Sequence, residues 1–174
     1  DQDIVREGDR PSRSCLLMAG VACIYKGSAK GGRQITAFQI RGDMPDLQSL
    51  HLQCLDSSVA TVTPCDVGFI RHEDLRRLCE RQPRLAGLLW RETLIDASIF
   101  REWMANIGRR EGLVRVAHLL CEWIVRGRAL ELGDENGIDL PITQVELADA
   151  TGMSPVHMNR ILQDLRGASL IALK

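Results

Sequence analysis

Arg160, Asn159 and His157 stand close together in the stretch SPVHMNRILQDLR. An arginine can donate two hydrogen bonds to a guanine edge, and Asn or Gln can pair with adenine. Just before them, Ser154 is a good helix N-cap, and Pro155 falls at the first helical position, where its missing N–H costs nothing. Thr143 and Gln144 open an earlier candidate helix. A capped helix N-terminus can hold a phosphate. These residue types offer recognition of nucleic acid rather than catalysis.

Two elements must position them. Residues 142–171, ITQVELADATGMSPVHMNRILQDLRGASLI, read as two short helices joined by a glycine turn. Thr143 and Glu146 have the spacing of a capping box. Ala148 is small where a second helix would pack closely, and Gly152 tolerates a positive φ at the turn. Met158, Ile161, Leu162 and Leu165 form one apolar face at helical spacing. His157, Asn159, Arg160, Gln163 and Arg166 form the opposite face. This is the pattern of a helix-turn-helix, whose second helix enters the DNA major groove. The bland alternative is a helical hairpin with a polar outer face.

The run TQVELADATGMSPVHMNRILQDLR, followed by LI, resembles the DNA-binding element of the catabolite-activator (CRP/FNR) family of bacterial transcription regulators. That resemblance implies an α+β chain: an N-terminal β-roll (a cyclic-nucleotide-binding-like jelly roll), a long dimerisation helix and a C-terminal winged helix-turn-helix. It implies a homodimer on an inverted repeat of double-stranded DNA, with RNA polymerase as a candidate protein partner. Thr143, Gln144, Ser154, Pro155, His157, Asn159 and Arg160 become the expected DNA contacts. In the family an arginine matching Arg160 reads a guanine, and the glutamate four residues earlier is here Val156. The wing expected after Ile171 is mostly missing from the sequence.

The chain has 174 residues and a formal net charge of −1. A whole-chain basic signature for nucleic acid is absent, so any DNA affinity comes from a local patch. That patch is only mildly basic, since the charged residues after Met153 are Arg160, Asp164, Arg166 and Lys174. The polar start and the lack of a long apolar run predict neither a signal peptide nor a membrane span, and hence a cytoplasmic protein. Six cysteines are scattered without a C-x-x-C pair. At least four are expected to be reduced, buried and small.

Residues 1–67 read as short strands separated by turn signals. Residues 26–33, KGSAKGGR, read as a hairpin tip, and Gly8–Asp9 and Gly42–Asp43 as paired strand-end turns. The order of these motifs is similar to the family's β-roll. A metal-dependent β-barrel enzyme is the competitor, but His51 and His72 lie far apart with no second histidine near either. No enzyme activity, metal or cofactor is expected. Residues 41–64 occupy the family's phosphate cassette, with Gly42, Asp43, Asp46, Asp56 and Ser57 as the effector-pocket region. No arginine lies between Arg41 and Arg71, and a buried phosphate without a cation is costly. The effector is therefore expected not to be a cyclic nucleotide.

Helical periodicity begins near Glu73. A short helix should stop before Pro83, and a long one should run from there to about residue 106. Leu85, Leu88, Ile95, Ile99 and Trp103 approximate a dimer seam. Residues 106–112, NIGRREG, read as a break before a further helix whose inner face includes Leu113, Val116, Ala117, Leu120 and Ile124. The expected domains are a sensor, 1–106, and a DNA-binding domain, 107–174. The expected function is sequence-specific DNA binding, gated by a signal at the β-roll. A ligand-binding or protein-interaction module of the same fold, without productive DNA binding, is the alternative.

Overall fold

The computed structural model describes residues 2–29, 31–133 and 137–172. Two compact units divide the chain, Asp1–Glu102 and Trp103–Lys174.

The first unit holds six antiparallel strands: β1 (Asp3–Val5), β2 (Arg13–Ala19), β3 (Ala22–Gly27), β4 (Arg33–Gln39), β5 (Ser58–Thr61) and β6 (Asp66–Arg71). One sheet has the order β1-β5-β3-β4, and β2 pairs with β6 in the other. The apolar run CLLMAGVACIY is thus split between the sheets. Gly20 makes the split with φ +87°, and a Cβ there would lie 2.3 Å from the Pro64 carbonyl oxygen, so only glycine fits. Leu17 of β2, Ala22 of β3 and Val59 of β5 are buried together, with Ile4, Val5, Ile24 and Val67 packed around them. Residues 26–33 do form a hairpin tip, although Lys30 lies outside the described residues.

The two Gly–Asp turns are built alike. Gly8 and Gly42 both have positive φ. The Asp9 carboxylate accepts from Arg6 N at 2.8 Å, and Asp43 accepts from Ile40 N at 2.8 Å. After the second turn comes a 3₁₀ turn, Leu47–Leu50, and the helix α1 (His72–Arg81) follows β6 directly. Leu47, Leu50 and Leu75 form a second small core with Met44, Ile70 and Leu89.

The helix α2 runs Pro83–Arg109 and crosses the division between the units. The expected break at residues 106–112 is shorter than the sequence suggests. Gly108 stays helical because Asn106 is held on both sides: its Nδ2 donates to Arg115 O at 3.2 Å and its Oδ1 accepts from Arg110. Trp103 and Asn106 are buried, so the second unit begins a few residues earlier than position 107.

In that unit α3 (Gly112–Ala129), α4 (Gln144–Thr151) and α5 (Pro155–Gly167) make a helical core. On α3 the fully buried residues are Val116, Leu119 and Gly127, whereas Leu113 and Ile124 are exposed. The inner face is therefore rotated from the one the periodicity suggested.

The cysteines are all free, but only Cys15 and Cys23 are fully buried. Cys65 and Cys79 are half-buried, and Cys54 and Cys121 are exposed. Cys121 belongs to an apolar run yet lies on the outer side of α3, which a run of apolar neighbours does not reveal.

Candidate nucleic-acid interface

The interface is built from two short helices with complete caps. Thr143 Oγ1 accepts from Glu146 N at 3.3 Å, and the Glu146 carboxylate accepts from Thr143 N at 2.6 Å. The capping box read from the sequence is therefore present. Gly152 ends α4 at φ 67°, ψ 38°, the left-handed turn that glycine adopts without strain. Ser154 Oγ accepts from His157 N and caps α5, with Pro155 at its first turn.

Leu147, Ala148, Met158, Ile161, Leu162 and Leu165 are buried between these helices and α3. Their burial fixes what α5 shows to solvent. Val156, Asn159, Arg160 and Gln163 are exposed and, with Gln144 and Pro155, line one shallow groove. Val156 is 74% exposed, an apolar side chain on an otherwise polar surface.

The groove has its own wiring. Gln144 Nε2 donates to Pro155 O at 2.9 Å, and Asn159 Nδ2 donates to Gln144 Oε1 at 3.3 Å. Gln144 thus ties the start of α4 to the start of α5 and aims the Asn159 amide. Arg115 supports the turn from behind, donating to Thr151 O at 3.3 Å and to Arg110 O at 2.8 Å. Sequence reasoning missed this brace, because nothing local marks an arginine on α3 as a partner of α4.

Of the seven expected contacts, Gln144, Pro155, Asn159 and Arg160 share the groove, and Thr143 and Ser154 stand at the helix starts as caps. His157 sits apart. Its Nε2 lies 3.2 Å from where a Cβ on Gly112 would be, which puts it on the flank of α5 beside the start of α3.

Residues 114–174 match the family model for the Crp-like helix-turn-helix domain, and residues 1–82 match that for the cyclic nucleotide-binding domain. The chain belongs to the CRP/FNR family of transcription regulators. Relatives agree. The transcriptional activator protein FnrL of Cereibacter sphaeroides is 26% identical over 176 residues, covering 99% of this chain and 70% of that protein. The nitrogen fixation regulation protein FixK of Bradyrhizobium diazoefficiens is 28% identical over 174 residues, covering 99% of this chain and 71% of that protein. The solved structure of FixK2 from Bradyrhizobium japonicum has the same fold, with a TM-score of 0.89 at 22% identity over 100% of this chain and 84% of that one.

The remaining expected sites of this CRP/FNR regulator divide. On α2, Leu88 and Ile95 are exposed and Leu85 and Ile99 half-exposed. Trp103 is 4% exposed and donates its indole N–H to Glu122 at 2.7 Å, so it faces its own unit and not a seam. In the cassette region, Gly42 and Asp43 shape a turn. Asp46 is fully buried and accepts from Cys15 N at 2.8 Å; burial pushes its carboxyl above the usual range, while that N–H bond pulls it down. Asp56 gives its carbonyl to Lys26, and Ser57 donates to the Asp56 carboxylate. None of these five lines the large cavity of the unit, which lies beside the 3₁₀ turn, α1 and α2. His72, weighed above as a metal ligand, is buried with Nε2 between Ser14 and Ser49. Among the described residues no helix is long and apolar enough to cross a membrane.

Proposed function

We propose that this CRP/FNR regulator binds an inverted repeat of double-stranded DNA as a homodimer, with α5 in the major groove and Arg160 reading a guanine in each half-site. The exposed Val156–Asn159–Arg160–Gln163 face, on a helix capped by Ser154 and braced through Gln144, carries this reading. Arg160 supplies a two-donor fork for O6 and N7 of guanine, Asn159 an amide, and Val156 an apolar group suited to a thymine methyl. Thr143 and Ser154, at helix starts, meet phosphates. The dimer forms along the exposed α2 seam of Leu85, Leu88, Ile95 and Ile99. The regulator works in the cytoplasm with RNA polymerase as a protein partner, and a signal other than a cyclic nucleotide gates it. The cassette supports that exclusion, because no arginine lies between Arg41 and Arg71 to pair with a cyclic phosphate.

Selection from random-sequence DNA tests the reading. The enriched motif should be a two-fold repeat with half-site centres one helical turn apart, roughly 10 bp. Affinity for it should fall steeply with salt as phosphate-bound cations are released. Enrichment of no motif, at low salt and in dimer-forming conditions, would overturn it.

A further inference from the structure

The first unit contains a cavity of about 550 Å³ that none of Gly42, Asp43, Asp46, Asp56 and Ser57 lines, although Leu47, Gln48, Leu50 and His51 of the same 41–64 stretch do. Its walls come from the 3₁₀ turn, α1 and the first two turns of α2 and beyond: Leu47, Leu50, Leu89 and Trp90 supply apolar surface, and Arg76 and Glu80 supply charge. The volume falls within the roughly 300–1,000 Å³ of small-molecule sites, which combine mostly apolar walls with a few polar groups. We infer that this cavity is the effector site, and that it takes a small apolar molecule carrying a single carboxylate; the inference rests on the gated regulator proposed above.

Charge sets the ligand class. Arg76 Nη2 is anchored on Leu50 O at 2.6 Å, which holds the guanidinium at the cavity while its other donors remain to grip a carboxylate. Glu80 lies one turn further along α1 and repels a second anionic group. A dianion or a phosphate-rich nucleotide is therefore a poor fit. Trp90, 69% exposed, offers an aromatic wall that the chain itself leaves uncovered.

A second copy of the chain does not fill the space by way of the seam. Ala86 is three and four residues from Leu89 and Trp90, and Thr93 is four and three beyond them, so the four share one face of α2. Leu85, Leu88, Ile95 and Ile99 follow another face of the same helix. A ligand in the cavity also touches the one helix, Pro83–Arg109, that belongs to both units. That gives its binding a physical route to the DNA-binding unit.

Calorimetry on the whole chain tests the site with octanoate and indole-3-acetate, an alkyl and an aromatic acid, and with the neutral amide of each. At least one acid should bind, and its amide should bind about tenfold more weakly, since a charge-assisted bond to Arg76 is lost. Arg76→Gln should weaken the acid by a similar factor. Ala86→Phe, at an exposed position that can accept the ring without disturbing a core, should abolish binding. The bound acid should change affinity for the selected DNA at least about fivefold, the lower end of measured allosteric couplings. The inference is overturned if neither acid binds more tightly than about 1 mM, if both variants bind as the wild type does, or if binding leaves DNA affinity unchanged. The calorimetry needs no DNA. A chain that binds the acid but selects no DNA sequence, with or without it, overturns the parent reading instead.

Discussion

The two units carry their surface chemistry in different ways. In the DNA-binding unit the side chains that line the groove stand on an 8-residue and a 13-residue helix, and caps within three residues of each start fix the register. In the sensor unit the cavity is assembled from residues 47–51, 76–80 and 86–93, three segments that meet only in the folded chain. Local spacing specifies a helix face. It does not specify a cavity, which depends on how separate elements meet. The exposed face of α5 was therefore legible from one short stretch, whereas the cavity of about 550 Å³ is lined by none of the five effector-pocket residues that sequence reasoning selected, even though Leu47, Gln48, Leu50 and His51 of the surrounding 41–64 stretch do line it.

If the interface is positioned by a dry core, breaking that core should have the largest effect. Leu147 is 1% exposed. Leu147→Ala should cost roughly 2–5 kcal/mol of stability in the second unit. Denaturant unfolding followed by Trp123 and Trp103 fluorescence measures it, and a loss under 1 kcal/mol would show that the helices are not held by that core.

The seam comes next, because α2 serves both units. Ile95→Glu and Ile99→Glu should each weaken the dimer by roughly 1.5–3 kcal/mol per subunit, the burial value of an isoleucine side chain. Sedimentation across low micromolar concentrations reads this directly. Two variants that remain fully dimeric would place the dimer contact elsewhere.

Thr143→Ala removes one side of the capping box and should cost about 1 kcal/mol. The loss should appear in the second unit alone. A matching loss in the sensor unit would mean that the two units unfold as one, and the comparison between them would lose its basis.

The smallest effect concerns pH and belongs to the sensor unit. Burial raises the Asp46 carboxyl above its ordinary value of 3.8. Between that value and the higher folded one, the native state binds more protons than the unfolded state, so stability falls as pH rises through the window. Asp46→Asn keeps an oxygen for Cys15 N and removes the titration. Melting curves of the variant should lose this decline above about pH 4. A variant with the wild-type slope would assign the decline to other groups.

Particular residues show what the sequence could carry. Thr143, Glu146, Gly152, Ser154 and Pro155 each act through a neighbour within a few positions, and each was readable. So were the twin turns at Gly8–Asp9 and Gly42–Asp43, and the start of α2 at Pro83. What escaped depends on distant partners. Asn106 keeps α2 helical through Gly108 by bonding Arg115 O. Trp103 leaves the heptad pattern because Glu122 holds its indole. Gly20 separates two strands because Pro64 crowds it from a distant turn. Arg115 and Arg76 look like surface cations in the sequence, yet each donates to a backbone carbonyl on another element.

The central claim is that Arg160 reads a base. Binding-site selection with wild-type and Arg160→Ala protein, followed by salt titrations on the selected site and a scrambled one, tests it most directly. The variant should lose roughly 1–3 kcal/mol on the selected site and relax one base pair per half-site. Its affinity for the scrambled site, and its salt slope, should change little, because a base contact releases no phosphate-bound cations. An equal drop on both sites with an unchanged motif would contradict the claim, assigning Arg160 to a phosphate and leaving specificity with Asn159, His157 and Val156.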